Sequence, residues 1–220
     1  MTGTHFRVGD TDAVKRLVMA HHYSHRMPAN VQVAATWHDD GGLFGDYGNP
    51  VAACVLSIPP TRWAEPVHEL SRLVRCPEMH VPISGLISNT MRHAQSIGID
   101  IVVSFADASA GHHGGVYQAA SWNYHGRRNA SMDGIMIDGV FVPGRSCNSS
   151  YGTRSPDKLA AMLSDHSIEP HYDIGKHLYW KALNKNGARV AARLGLAKTA
   201  YPKPGAGHSP EPGNMVGGNH

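Results

Sequence analysis

The residues best suited to chemistry lie in a glycine-rich stretch, residues 107–126. Asp107 directly follows an apolar run at 101–106 that is typical of a buried strand, and open α/β sheets place reactive groups where such strands end. His112 and His113 come next, with glycines on both sides that let a backbone approach a ligand closely. A carboxylate near imidazoles can take up and release protons at neutral pH, so the stretch predicts an acid–base site. The alternative is a plain strand-to-helix turn in which Asp107 caps the helix.

Residues 21–28 form a second candidate segment, in which His22 stands beside Tyr23. A histidine in a loop can transfer a proton or bind a metal ion. Two imidazoles and one carboxylate form the ligand set of many non-haem iron sites, and His22, Asp107 and His113 would supply that set here. A surface pair without a chemical role is the alternative for His22 and Tyr23.

The composition describes one domain of ordinary size. The 220 residues carry a net charge of +3, which permits a polyanionic partner without requiring one. Three widely spaced cysteines predict no disulfide framework and suit a reducing compartment. The N-terminus lacks a signal-peptide pattern, and no apolar run approaches the ~20 residues of a membrane span. We therefore expect a cytoplasmic protein that does not contact a membrane.

Hydrophobic periodicity predicts the elements that position these residues. Strands are predicted at 4–8, 31–38, 51–58, 68–75, 101–106 and 176–183, with a hairpin at 135–142. Helices are predicted at 12–20, 85–97, 116–120, 156–164 and 186–194, whereas 144–155 has the pattern of a polar loop. Residues 199–220, rich in Pro and Gly, predict a disordered tail after a single domain at 1–198. The order predicts an α/β (α+β) fold with a mixed, mainly antiparallel central sheet flanked by helices.

This order of elements is similar to that of GNAT acyltransferases, which run strand, helix, three strands, helix, strand, helix, strand. Those enzymes carry a pyrophosphate-binding loop, Arg/Gln-x-x-Gly-x-Gly/Ala, before the central helix. Residues 82–87 read Pro-Ile-Ser-Gly-Leu-Ile at the corresponding place. The resemblance implies a GNAT-like fold, but coenzyme A binding lacks its usual signature.

Several short motifs, in a fixed order and spacing, resemble the phage Mom family of DNA-modification proteins over about residues 20–183. The most specific is Gly-His-His-Gly-Gly-x-Tyr-Gln-Ala at 111–119, followed by Trp122 and by Tyr-His-Gly at 124–126. The others are His22-Tyr23-Ser24 with Pro28, Glu69-Leu-Ser-Arg-Leu73, Ser84 at a helix start, Ser104-Phe-Ala-Asp107, Tyr151-Gly152 and Lys176-His-Leu-Tyr179.

The resemblance implies a GNAT-like enzyme that converts adenine in duplex phage DNA to N6-carbamoylmethyladenine. That change protects phage DNA from restriction in the host cytoplasm. The family's residues tied to activity are a His-Tyr dipeptide, a serine at a helix start, an aspartate after the central strand and a tyrosine ten residues beyond. They correspond to His22, Tyr23, Ser84, Asp107 and Tyr117.

The resemblance also implies partners. Double-stranded DNA is then the substrate, and a bound iron ion is a candidate cofactor. Apart from the resemblance, we expect a homodimer. Two donors of the two-carbon amide stay open. One is acetyl-CoA, although an acetyl thioester lacks the amide nitrogen, and the other is a glycine-derived compound such as glycyl-tRNA, which would supply it.

Adenine N6 inside a duplex must be extruded before it can react. Aromatic rings can stack on the extruded base, and the candidates are Tyr23, Tyr117, Trp122 and Tyr124. Asp107 can accept the N6 proton, and general-base help of this kind is typically ~10²–10⁴-fold. We expect further substrate contacts from loop and motif residues, namely His112, His113, Gly114, Arg26 and Arg127.

Two rival functions remain. One is an ordinary GNAT acetyltransferase that uses acetyl-CoA to modify a small amine or a protein. The other is a DNA- or partner-binding protein without activity, in which the glycine-rich stretch is only a turn.

Overall fold

The computed structural model describes residues 4–40, 48–60, 63–78, 83–108 and 111–202. Within them the strands are β1 His5–Val8, β2 Val31–His38, β3 Pro50–Ser57, β4 His68–Arg75, β5 Ile101–Asp107, β6 Asn123–Arg127, β7 Met132–Ile137, β8 Val140–Pro143, β9 Ile168–Tyr172 and β10 Lys176–Ala182. The helices are α1 Thr11–His21, α2 Ile83–Ser96, α3 Gly115–Ala119, α4 Gly144–Tyr151, α5 Pro156–Met162 and α6 Lys185–Arg193.

Seven strands form the main sheet in the order β1-β2-β3-β4-β5-β10-β6. Every neighbouring pair is antiparallel except β4 and β5, which are parallel. Helices α2 and α3 pack on one face, while α1 and α6 pack on the other. The predicted fold class, a mixed and mainly antiparallel sheet flanked by helices, is confirmed.

Amphipathic spacing explains why the helices form where the sequence predicts them. In α1, Val14, Leu17 and Val18 lie on one face and are buried against the sheet. Asp10 begins the helix, because its side chain accepts a hydrogen bond from the Ala13 amide at 2.8 Å. The predicted span 12–20 is therefore confirmed to within a residue at each end.

The parallel strands β4 and β5 stay together for only a short distance. Their ladder contains the pairs His68–Val102 and Glu69–Val103. Beyond Glu69, β4 continues along β3, whereas β5 continues along β10. The two strands therefore part, and a gap opens between their carboxyl ends.

Residues between β6 and β10 build a smaller unit beside the main sheet. Its three strands run in the order β8-β7-β9 and pack on α4 and α5 around a separate core of Ile135, Cys147 and Leu159. The predicted loop at 144–155 is wrong for its first part, because α4 occupies Gly144–Tyr151. The sequence also missed β6 and β9, whose polar residues show no clear alternation.

The start and end of this unit meet at a neck. The Asp173 carboxylate accepts hydrogen bonds from the Ser131 amide at 3.2 Å and the Gly175 amide at 2.8 Å. The Arg128 amide donates to the Lys176 carbonyl at 2.9 Å. Gly175 must be glycine here, because its φ is +86° and a Cβ would lie 2.2 Å from the Arg128 carbonyl oxygen.

The segment after α6 returns to the main sheet. The Thr199 amide donates to the Tyr124 carbonyl at 2.8 Å, and the Tyr201 hydroxyl donates to the Trp122 carbonyl at 2.6 Å. The rest of the predicted tail, 203–220, lies outside the described residues. Within the described part of the chain, no helix is both long and apolar enough to cross a membrane.

Candidate active site

A cavity of about 1070 Å³ lies where β4 and β5 part. One wall comes from β4 and the loop after α1, and another from the end of β5 and the glycine-rich loop before α3. The small unit and its neck supply Arg128, Ser131, Asp133, Arg145 and Asp173. Three distant parts of the chain therefore meet at one opening.

Most of the residues predicted to act on substrate line this cavity. They are His22, Tyr23, Asp107, His112, His113, Gly114 and Tyr117. The predicted meeting of the loop after α1 with the glycine-rich stretch is observed, although the chemical roles of these residues stay predictions.

His22 is held in one tautomer by its own loop. The Ser24 amide donates to His22 Nδ1 at 3.1 Å, and the Ser24 hydroxyl lies 2.9 Å from the same nitrogen. Because an amide N–H can only donate, Nδ1 accepts, and the neutral ring carries its hydrogen on Nε2. Burial, followed by the charges of Arg72, His112 and His25, lowers the pKa of His22 to about 4. His22 is therefore a neutral donor at pH 7.

The pKa of His22 predicts an acid-sensitive fold. An unfolded histidine titrates near 6.5, so the folded state loses stability as the pH falls from about 6.5 to 4, because only the unfolded chain readily takes up the proton. The loss should approach roughly 3 kcal/mol for this group. We expect His22→Gln to flatten the change in unfolding free energy between pH 7 and 4, measured by urea denaturation. An equally steep curve in the variant would contradict the assignment.

Aromatic rings stand on both sides of the opening. Tyr23 stacks on His22 with ring centroids 4.4 Å apart, and its other neighbour is His112, at 5.9 Å and tilted by 48°. Tyr23 is 60% exposed. Partial burial and the charge of Asp107 raise the pKa of Tyr23, so its phenol is neutral at pH 7.

Asp107 lies at the end of β5 and is paired with a lysine on the next strand. The Lys176 ammonium is 3.5 Å from the Asp107 carboxylate and 4.0 Å from that of Asp173. The Asp107 side chain is 17% exposed. Lys176 thus joins the end of β5 to the neck of the small unit.

Glu69 lines the cavity, although its sequence pattern does not mark it as a site residue. It lies on β4, opposite Val103, at the last pair before the strands part. Burial raises the pKa of the Glu69 carboxyl, although the charges of Arg72, Arg145 and Lys176 oppose the rise. The sequence signal for Glu69 is its place in the motif Glu69-Leu-Ser-Arg-Leu73. Its burial could not be predicted, because it depends on β5, which is distant in sequence.

Tyr117 closes the inner end of the cavity. Ser104 Oγ lies 2.7 Å from the Tyr117 hydroxyl and 2.7 Å from the Leu70 carbonyl oxygen, so Tyr117 is tied to both parting strands. Burial raises the pKa of Tyr117 far above its ordinary value. Tyr117 is therefore a buried, neutral phenol at the floor of the site.

The glycine-rich loop is fixed by an aromatic side chain beneath it. The Tyr179 hydroxyl donates to the His113 carbonyl at 2.6 Å, and Gln118 Nε2 donates to that hydroxyl at 3.0 Å. Gly114 has a φ of +80° and lies directly over the Tyr179 ring. The loop that carries His112 and His113 therefore has a rigid base.

Two predicted stacking residues lie in the core instead. Trp122 is 0% exposed and packs beside Tyr117, with ring centroids 5.2 Å apart. Tyr124 is buried, and its hydroxyl lies 2.8 Å from His177 Nδ1. Because both rings belong to the main core, they support the cavity rather than line it.

Three further predicted residues lie outside the cavity lining. Ser84 is in the first turn of α2, where its neighbour Ile83 reaches the cavity. Arg26 offers its carbonyl oxygen to Arg72 Nε at 2.7 Å, and the Arg127 side chain donates to a carbonyl near the neck. The cations that do line the cavity are Arg72, Arg75, Arg128, Arg145 and Lys176.

The predicted iron ligands do not form a metal site. Across the described ranges, no three His, Cys, Asp or Glu side chains are grouped so that they could hold a metal ion. His22 turns Nδ1 to Ser24, and the Lys176 ammonium lies 3.5 Å from the Asp107 carboxylate. The structure therefore does not support His22, Asp107 and His113 as the ligands of an iron ion.

Several solved structures are similar to this chain. An acetyltransferase from Bacillus subtilis in complex with CoA has a TM-score of 0.47 and 11% identity, covering 83% of this chain and 100% of that chain. The ribosomal-protein-S18-alanine N-acetyltransferase from Escherichia coli has a TM-score of 0.47 and 8% identity, covering 83% and 95%. A GNAT-family N-acetyltransferase from Escherichia coli in complex with CoA has a TM-score of 0.42 and 13% identity, covering 56% and 69%.

No curated protein matches the chain at a significant level. A family model does match it: the model of the Mom protein family covers residues 5–203. The match includes every strand and helix described above and all of the cavity residues. The resemblance predicted from the short motifs is confirmed, and this chain belongs to the Mom protein family.

Proposed function

We propose that this protein is a phage DNA-modification enzyme that converts adenine in duplex DNA to N6-carbamoylmethyladenine and so protects the DNA from restriction. The observation that carries the proposal is the shared cavity of His22, Tyr23, Asp107 and Tyr117. Four of the five residues that the Mom resemblance ties to activity line this one opening, and they come from three places in the fold: the loop after α1, the end of β5 and α3.

An extruded adenine needs a flat surface on which to stack, since leaving the duplex costs a few kcal/mol. We propose that the base enters between Tyr23 and His112, whose rings are 5.9 Å apart across the mouth. Stacking on such rings contributes about 1–3 kcal/mol per base. The glycines around His112 allow the small movement that admits a third ring.

The proton on adenine N6 needs an acceptor as the new bond forms. Asp107 was the first candidate, but Lys176 already neutralises it at 3.5 Å. Glu69 is the better base, because burial raises its pKa toward the working pH. In this mechanism Glu69 takes the proton from N6, and the Asp107–Lys176 pair orients the adenine.

The donor carbonyl needs a hydrogen bond to the oxygen on which charge develops. Neutral His22 can supply it from Nε2, because Nδ1 is occupied by Ser24. DNA phosphates require cations near the cavity, and Arg72, Arg128 and Arg145 are available there. No step is assigned to iron, because the ligands proposed for it are not grouped.

The test is the nucleoside composition of DNA from cells that express the full chain. Mass spectrometry should detect deoxyadenosine heavier by one carbamoylmethyl unit with the wild-type protein, and should not detect it with Asp107→Ala. Unchanged deoxyadenosine from cells containing abundant folded wild-type protein would contradict the proposal. Transfer of acetyl from acetyl-CoA to an amine in the absence of DNA would instead favour the ordinary acetyltransferase.

A further inference from the structure

Glu69, on β4, belongs to the lining of the cavity. No hydrogen bond or ion pair to its carboxylate is formed by the residues that the structure describes. Arg72, Arg145 and Lys176 nevertheless act on its charge from a greater distance. A half-buried carboxylate is costly when it is left unpaired, so a ligand with a positive group would fit beside Glu69. Negative groups of the same ligand would fit beside the three cations.

The chemistry of the product narrows that ligand, and this step rests on the proposed function. A carbamoylmethyl group contains two carbons and one nitrogen. An acetyl group has no nitrogen, so its conversion would need both an oxidant and an amine. A glycyl group, –CO–CH2–NH3⁺, already has the two carbons and the nitrogen at the required oxidation level. Its ammonium would also form a direct ion pair with Glu69, which none of the described cations does.

We propose that the cavity takes an activated glycyl ester or thioester, with its ammonium at Glu69, and that adenine N6 finishes as the amide nitrogen of the product. The carrier would be a tRNA for the ester and coenzyme A for the thioester. Both carriers bear phosphates, which Arg72, Arg145 and Lys176 would contact. The glycyl and carbamoylmethyl forms of the modified base are isomers, so one rearrangement connects them.

In the first step, N6 attacks the glycyl carbonyl carbon. The bond from that carbon to the carrier oxygen or sulfur breaks, and its electron pair leaves with the carrier. The N6 proton passes through Glu69 to the departing atom. The product is N6-glycyladenine, in which the glycyl amine still lies beside the same carboxylate.

In the second step, the glycyl amine loses a proton to Glu69 and attacks C6 of the purine, closing a five-membered ring. Attack within one molecule at this ring size is strongly favoured over a bimolecular reaction. The C6–N6 bond then breaks, and N6 leaves as the amide nitrogen and takes up the proton held by Glu69. A second proton from the amine goes to water. The final group is C6–NH–CH2–CO–NH2, and no oxidant is consumed.

The fate of N6 can be followed with an isotope in living cells. A purine-requiring host that expresses the full chain would be fed adenine labelled with ¹⁵N at the exocyclic position. Tandem mass spectrometry of the modified nucleoside should show loss of ¹⁵NH3 from the terminal amide, with unlabelled nitrogen on C6. The same cells fed ¹⁵N-glycine should place that label on C6.

The outcomes separate the two proposals. A modified nucleoside that keeps the adenine label on C6 would overturn the glycyl route and leave the proposed function standing. No modified nucleoside at all would overturn both. Purified protein with duplex DNA then identifies the carrier, because either glycyl-tRNA or glycyl-CoA should support modification. Product from acetyl-CoA alone, or from neither glycyl compound, would overturn the donor class.

Discussion

Glu69→Gln should lower the rate of adenine modification by roughly 10²–10³-fold, because it removes the group that we propose accepts the N6 proton. Glutamine keeps the size and the polar character of the side chain, so the fold should persist. The raised pKa of Glu69 also predicts the shape of the pH profile. Activity should increase as the pH rises through a value above the ordinary glutamate range, because only the ionised carboxylate is a base. The measurement is the initial rate of nucleoside modification in the purified enzyme.

A matched control is Glu65→Gln. Glu65 pairs with Arg193, with oxygens 2.6 Å and 2.9 Å from the guanidinium, and it lies outside the cavity lining. This variant should retain the wild-type rate and the wild-type pH profile. If Glu69→Gln behaved like Glu65→Gln, Glu69 would not be the base.

Gly114→Ala should damage both the fold and the site. The added Cβ would lie 2.2 Å from the Tyr179 ring, and the φ of +80° is itself unfavourable for alanine. Tyr179 is completely buried and cannot yield without disturbing the core. We expect a loss of about 2–4 kcal/mol in unfolding free energy from the combined strain and overpacking. A displaced His112–His113 loop should also lower activity about 100-fold.

Gly98→Ala distinguishes backbone strain from overpacking as the cause of the loss in Gly114→Ala. Gly98 has a similar φ of +89°, but a Cβ there meets nothing within 4 Å. This variant should lose only about 1 kcal/mol from backbone strain and should keep full activity. Urea unfolding and modification rates of both proteins test the comparison. Equal losses in the two variants would show that Tyr179 does not fix the loop.

Elements governed by local pattern could be predicted from the sequence. The α1 helix follows from Asp10 and its apolar stripe, and the β5 strand follows from six apolar or small residues before Asp107. The α4 helix could not be predicted, because Gly144–Tyr151 is polar and is stabilised by burial of Cys147 in the small unit. Tertiary packing overrides local propensity there.

The candidate site could also be predicted only in part, namely where short local motifs mark its residues. The His22 loop and the glycine-rich stretch were predicted as partners, and both line the cavity. Trp122 was misplaced because its spacing in the motif suits a ligand contact and a core contact equally well. Glu69 could not be predicted as a site residue because its environment depends on Arg72, Arg145 and Lys176, and the last two lie on α4 and β10, far from Glu69 in sequence. Contacts between residues so far apart in sequence produce no periodic pattern from which they could be predicted.

Because the small unit joins the main sheet through the neck at Asp173, it is a suitable segment to exchange by protein engineering. The chain enters and leaves at adjacent points, bound by Ser131 and Gly175, and the unit keeps its own apolar interior. Its outer hairpin could therefore be exchanged or lengthened while the seven-stranded scaffold stays as it is. Chimeras that join at this neck would test whether the small unit, which supplies Asp133 and Arg145 to the cavity, affects the proposed DNA modification while the main sheet is kept.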